Sequence, residues 1–283
     1  MYPPKFDYYR ASSVDEAIAL MQEHGGKFLA GGHSLIPVMN LRLADPGALI
    51  DIGRLDSLKG ISVEEGMVKI GALTTHTMVA ASSDVPRALS EAAGMIGDPQ
   101  VRNRGTVGGN VSHADPASDL PTVLMALGAK FRIAGSGGMK TIDAADFFTG
   151  LFETALGEDD LLVGVGVAAE GAGTGSAYAK LVNPASRYAM VGAAASVTVA
   201  NGTCSAASVA VGGLTAKATA CPSVAAALVG KALDADTIAA AAAAVANDLD
   251  DDIIGDMHAS ADYRRSMAPV FIKRALMKAA ERA

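Results

Sequence analysis

Tryptophan is absent from this sequence, and seven phenylalanines and six tyrosines supply all of its large aromatic surface. Any wall against a large aromatic ligand must therefore come mostly from aliphatic side chains and backbone. Cysteine is scarcer still. Cys204 and Cys221 are the only two, too few for a disulfide framework or for the four thiolates of an iron–sulfur cluster. The longest uncharged apolar run, Ile238 to Ala246, is mostly alanine and falls far short of the roughly 20 residues that span a bilayer. Positive charge is in deficit: 23 Lys and Arg against 30 Asp and Glu give a net charge of -7. The positives are dispersed except near the C-terminus, which argues against nucleic acid and anionic membrane as partners. The opening Met1-Tyr2-Pro3-Pro4-Lys5-Phe6-Asp7 has no charged-then-apolar signal pattern, so a cytoplasmic, not membrane-spanning, protein is expected.

What is present is length, apolar residues and glycine. The 283 residues, half of them hydrophobic, suffice for two domains with sizeable cores. Ser13 and Glu16 have the spacing of a capping box at the head of a helix that Gly25-Gly26 stops. A strand at Lys27 to Ala30, a short apolar helix at Leu35 to Leu43 and a strand at Ala48 to Ile52 complete a compact first lobe of about residues 1–53. Hairpin patterning follows at Ile61 to Ile70, then helices near Thr75 to Ala81 and Pro86 to Met95.

The polar, glycine-rich passage Gly97 to Asp119 reads as a functional loop because of its length. Ser118 or Asp119 is expected to cap the helix after it, and strands follow at Lys130 to Ala134, Met139 to Ile142 and Leu161 to Val167. The glycines of Glu170 to Gly175 mark a boundary. Residues 1–175 then form one two-lobed domain, the second lobe being 54–175. Residues 176–283 form another: an antiparallel meander turning at Asn201-Gly202, followed by a small helical bundle.

Two glycine patterns mislead. Gly164-Val165-Gly166-Val167-Ala168-Ala169 matches the dinucleotide fingerprint by letter, but it lies inside a strand-like run with no helix after it. Gly135-Ser136-Gly137-Gly138-Met139-Lys140 lacks P-loop spacing and reads as a hairpin turn.

Two others carry chemistry. Ala30-Gly31-Gly32-His33-Ser34 ends a strand in paired glycines, leaving N–H groups free and allowing a phosphate to approach without meeting a Cβ. Alone it is equally a strand-to-helix turn capped by Ser34. Thr106-Val107-Gly108-Gly109-Asn110 repeats the arrangement, with Ser112, His113, Asp115, Ser118 and Asp119 close behind. Together the pairs suit a clamp on a pyrophosphate-containing ligand.

With these motifs in place the sequence resembles the FAD-binding medium subunit of molybdenum hydroxylases, of the carbon monoxide dehydrogenase and xanthine dehydrogenase type. Nearly the whole chain takes part: Ala30 to Ser34 with Leu35 to Leu43, Ile70-Gly71-Ala72-Leu73-Thr74-Thr75, Asp98 to Arg102, Thr106 to Asn110, Asp115 to Pro121, and Tyr263-Arg264. The resemblance implies an α+β fold, with a two-lobed FAD-binding domain of the vanillyl-alcohol-oxidase/PCMH type and a C-terminal domain of antiparallel sheet and helices. It implies FAD between the lobes, its pyrophosphate held by backbone amides of Gly31, Gly32, His33 and Ser34 and of the segment Thr106 to Asn110 with its Gly108 and Gly109, with side-chain contacts from Ser34 and Asn110 and with Ala30 and Leu35 also among the cofactor-binding residues. His113 and Asp119 match positions on the flavin side, Leu161 one packed near the rings, Lys180 a basic residue beside the cofactor, and Tyr188 an aromatic near the isoalloxazine.

The same resemblance implies partners: a small iron–sulfur subunit and a large molybdenum subunit, in a dimer of heterotrimers. Electrons would arrive from the clusters and leave to an external acceptor, with docking surfaces near Gly97 to Arg104 and on the C-terminal helix. Simpler roles stand beside the functional ones: backbone bonding for His113, a helix cap for Asp119, strand core for Leu161, a solvated charge for Lys180, and rim or core packing for Tyr188. The basic residues from Arg264 to Arg282 read most simply as a solvated helix face. A self-contained flavin oxidoreductase and a nucleotide-binding structural module remain the other readings.

Overall fold

The computed structural model describes residues 2–283 and contains three main sheets. In the first lobe, strand Ala48–Asp51 lies between Asp7–Arg10 and Lys27–Leu29, parallel to both. Helix Val14–His24 connects the outer two; Ser13 Oγ accepts from the Glu16 amide, and Gly25 closes the other end. The Ser13 half of the expected capping box forms, while the Glu16 carboxylate accepts from the Ser12 amide in place of that of Ser13.

The second lobe is a five-stranded antiparallel sheet ordered Ile61–Glu64, Met67–Gly71, Leu161–Ala168, Lys130–Gly135, Gly138–Asp143. Leu161–Ala168 is central and almost wholly buried, so the fingerprint-like Gly164 and Gly166 belong to a core strand, as the missing helix context required. Phe131, Phe147 and Phe148 pack together beneath it.

A third sheet, Thr174–Val182, Ala189–Ala200, Thr203–Gly212 and Thr219–Ala220, is antiparallel throughout. Helices Pro222–Leu228, Ala235–Ala243 and Ala261–Ala280 cover one face of it. Tyr178, Ala194 and Ala210 of this sheet join the apolar core of the second lobe. No helix among the described residues is long and apolar enough to cross a membrane.

Two expectations change. The passage 97–119 is not an open loop: it contains helices Pro99–Arg102 and Val107–His113, the first capped by Asp98 and the second by Thr106. Its glycines hid the second helix, because Gly108 and Gly109 lower helix propensity. The C-terminal basic residues are also not simply a solvated face. Arg264 is buried and donates to the carbonyls of Gly213 and Met190 and to Asp256 Oδ2. Lys278 and Arg282 both pair with Glu91, on helix Arg87–Met95.

Candidate functional site

The lobes meet at a cleft of about 900 Å³, near the top of the usual range of about 300–1,000 Å³ for small-molecule sites. Every candidate residue except Lys180 lines it. The two glycine loops stand side by side and are packed by absent side chains. A Cβ on Gly31 would lie 2.1 Å from the Arg104 carbonyl oxygen, and one on Gly108 would lie 2.6 Å from the Ala72 Cβ. Gly32 has a different constraint: its φ of +75° is a backbone conformation that L side chains rarely adopt.

Hydrogen bonding distinguishes the loops. The amides of Gly31, Gly32, His33 and Ser34 donate to nothing among the described residues, and the Ser34 hydroxyl makes no cap bond. The ring of His33 turns back, its Nδ1 3.2 Å from the Gly31 carbonyl oxygen. Four successive free donors, on a loop with no Cβ at two positions, form a concavity suited to phosphate oxygens. This arrangement fits a pyrophosphate group.

The second loop has its amides committed. Val107 N donates to Thr74 O, Gly108 N to Ala72 O, Asn110 N to Thr106 O, and Gly109 N to Thr106 Oγ1 at 3.2 Å. The expectation that both loops offer free backbone donors is therefore altered. Here the available groups are side chains, notably the Asn110 amide, whose Oδ1 accepts from Ser118 Oγ. The motif Ile70 to Thr75 has a structural explanation in the same contacts: its end is the strip of backbone on which Thr106 to Gly108 is laid.

Also on the cleft wall, Asp119 is the first residue of helix Asp119–Ala126, and its carboxylate does not cap that helix. It accepts from Tyr178 Oη at 2.6 Å and from Lys180 Nζ at 2.9 Å. Burial pushes the carboxyl up, while Lys180 and the Tyr178 hydroxyl oppose that shift. The Tyr178 phenol is itself driven well above its ordinary value by burial beside Asp119, which keeps it a donor. Lys180 is not a solvated charge: its side chain is 2% exposed and stands behind Asp119.

Leu161 is both core and cleft wall. His113 ends its helix with its ring 5.2 Å from that of Phe152. Tyr188 is 45% exposed, at the rim. Two wall residues were not foreseen. His76, 3% exposed, lies beside Gly105, and its Nδ1 has no partner among the described residues. Phe152, at φ 55°, is on the turn of a two-stranded hairpin, Phe148–Gly150 and Glu153–Thr154, too short to leave a pattern. Thr74 and Thr75 immediately precede His76 in sequence.

A cleft between two lobes, lined by the free amides of Gly31 to Ser34, the buried Asp119 carboxylate and the part-exposed Tyr188, defines a site for a cofactor that carries a pyrophosphate. Residues 4–168 match the family model described as the FAD binding domain in molybdopterin dehydrogenase, and residues 176–279 match the carbon monoxide dehydrogenase flavoprotein C-terminal domain. The chain is 40% identical to the carbon monoxide dehydrogenase medium chain of Hydrogenophaga pseudoflava, over 98% of this chain and 97% of that one. It is 37% identical to the 6-hydroxypseudooxynicotine dehydrogenase complex subunit alpha of Paenarthrobacter nicotinovorans, over 100% and 97%. A solved structure of carbon monoxide dehydrogenase from Hydrogenophaga pseudoflava superposes with a TM-score of 0.95, covering 100% of both chains. The chain belongs to the FAD-binding medium-chain family of molybdenum hydroxylases, and the expected α+β class stands. It is a flavoprotein subunit of the multi-subunit oxidoreductase type.

Proposed function

We propose that this chain is an electron-transfer subunit, receiving electrons from iron–sulfur clusters of a small partner and delivering them to an external acceptor. A large molybdenum subunit would oxidise the substrate, the three chains assembling as a dimer of heterotrimers. Bound FAD would supply the redox chemistry, and the polypeptide supplies binding, orientation and electrostatics. The carrying observation is the row of unbonded amides from Gly31 to Ser34 in a chain of this family.

In this reading Ala30 to Leu35 cradle the pyrophosphate with free N–H groups. Thr106, Gly108, Gly109 and Asn110 bound it from the second lobe by close packing and by the Asn110 side chain. His113, Asp119, Leu161 and Tyr188 flank the ring end, and Lys180 acts from behind Asp119. Residues 1–175 and 176–283 serve as the FAD-binding and C-terminal domains. Surfaces near Gly97 to Arg104 serve for docking, since they adjoin Thr106 to Asn110.

Two measurements test this. Acid release of the chromophore followed by mass analysis should identify FAD; recovery of FMN, or of no flavin from a folded loaded preparation, refutes the site. The loaded chain should be reducible by dithionite yet inert toward carbon monoxide, purines, aldehydes and N-heterocycles until partner subunits are added. Substrate-dependent reduction by the single chain would instead establish a self-contained oxidoreductase.

A further inference from the structure

We propose that Lys180 is a positioning residue, tying the loop that carries Tyr188 to the Asp119 carboxylate so that the aromatic rim and the acidic wall of the cleft are set as one piece. The proposal deepens the flavin-site reading and rests on it for its spectroscopic arm alone.

A lysine ammonium has three N–H donors, and Lys180 has three acceptors. They are Asp119 Oδ2 at 2.9 Å, Met95 O at 3.1 Å and Arg187 O at 2.8 Å. All three hydrogens are engaged, so no donor is left over for a ligand, and the side chain is absent from the cleft wall. The acceptors come from three separate segments: the start of helix Asp119–Ala126, the end of helix Arg87–Met95, and the connection between strands Thr174–Val182 and Ala189–Ala200.

That connection holds a strained residue. Arg187, directly before Tyr188, has φ 62°, and a residue in this region persists only where its surroundings over-determine it. Asn183 supplies part of the restraint. Its Oδ1 accepts from the amides of Ala185 and Ser186, its amide donates to Tyr188 O, and its carbonyl accepts from Arg187 N. Those bonds shape the turn internally. The Ala189 amide, donating to Ala117 O, ties the end of the turn to the backbone before Asp119, and the Lys180 bond to Arg187 O fastens the turn to the carboxylate itself. On the other side, Tyr178 Oη occupies Asp119 Oδ1, so the carboxylate cannot rotate away. Charge-assisted bonds of this kind are about twice as strong as neutral ones, which suits a single group holding three segments.

The test compares two variants of the full chain that share Asn at position 119: Asp119→Asn, and Asp119→Asn combined with Lys180→Met. The second has no unpaired buried charge, the feature that makes single truncation of such a pair disruptive. Hydrogen exchange of the amides of residues 185–188 should be preserved in Asp119→Asn and accelerated about tenfold in the double variant, while strand Ala189–Ala200 stays protected. When loaded, the double variant should shift the visible flavin band relative to Asp119→Asn in the direction that Tyr188→Ala shifts it relative to wild type. Equal loop protection in the two variants overturns the proposal.

The wild-type chain gives an independent measurement that requires no variant to fold. With nitrogen-15 lysine, Lys180 Nζ should show a slowly exchanging ammonium resonance, and free exchange with solvent refutes the tether. Exchange on the flavin-free chain decides the tether by itself. A failure confined to the spectroscopic arm therefore counts against the flavin reading and leaves the tether standing.

Discussion

Gly31 lies against Arg104 so closely that a Cβ on the glycine would stand 2.1 Å from the arginine's carbonyl oxygen. This contact joins the cleft's two loops at the level of backbone. Gly31→Ala should force them apart, at an overpacking cost of about 1–3 kcal/mol, with loss of flavin retention. Gly108→Ala, facing Ala72, should behave alike. Thermal melts and flavin stoichiometry check both. Full retention in either variant would show that the loops have slack, and that shape is not what holds the cofactor.

The reason for these glycines could be seen in the sequence only in part. Paired glycines at Gly31-Gly32 and Gly108-Gly109 announce close approach, and the free amides of Gly31 to Ser34 fulfil that on one side. On the other side, the partner of Gly108 is Ala72, and such a neighbour is a property of the folded chain. Long periodic elements were legible: the helix after Ser13, the Ile61 to Ile70 hairpin and the C-terminal meander all form where the pattern put them. Short elements were not, because the four-residue helix at Pro99 and the two-residue strand at Glu153 contain too few residues to show a period. Lys180 and Asp119 were legible as candidates by resemblance. That the lysine stands behind the carboxylate followed only from packing, since strand alternation gives a side chain's face and not its partner.

Glu91 links helix Arg87–Met95 to the C-terminal helix end. It accepts from the Tyr178 amide at 3.0 Å, from Lys278 at 2.5 Å and from Arg282 at 2.6 Å. Burial raises its carboxyl, but the Arg282, Lys278 and Tyr178 bonds prevail and hold it below its ordinary value. A carboxylate lowered in the folded state stabilises fully above its unfolded value of about 4.3, and that contribution is lost as pH falls through the lower folded value. Glu91→Gln should therefore cost about 1–2 kcal/mol at pH 7, after allowance for screening at the exposed Lys278 end. The difference from wild type should shrink below about pH 4. Urea midpoints across that range measure it, and a pH-independent difference would mean that packing, not charge, accounts for the loss.

His76 titrates in the opposite chemical sense with the same consequence for stability. Burial, then Arg102 and His33, push its ring down to about 4, against an unfolded value of about 6.5. Between those values the unfolded chain binds the proton and the folded chain does not, so stability rises with pH across the interval. Acidification from pH 7 toward 4 should remove up to about 3 kcal/mol through this residue. In the flavin-free chain, His76→Leu should flatten that part of the stability profile. An unchanged slope would assign it to other groups. A profile that flattens in the wild-type chain on flavin loading would show that the ligand's negative charge restores the proton.

Tyr188 separates a functional rim from a packed one. The residue is 45% exposed, so truncation removes less buried area than at a core position and should cost well under the roughly 3–5 kcal/mol typical of a fully buried aromatic. Its backbone is nonetheless fixed: the carbonyl accepts from Asn183, and the following Ala189 amide donates to Ala117 O, two residues before Asp119. The phenol is raised by partial burial and by the charges of Asp115 and Asp119, so at neutral pH it stays a neutral ring at the cleft mouth. Tyr188→Ala should thus change the flavin absorbance or its reoxidation rate by external acceptors while moving the melting temperature by only a few degrees. Tyr188→Phe should retain the spectrum, because the ring and not the hydroxyl faces the cofactor in this reading. A large loss of stability with an unaltered flavin band would place the residue among the packing side chains and remove it from the site.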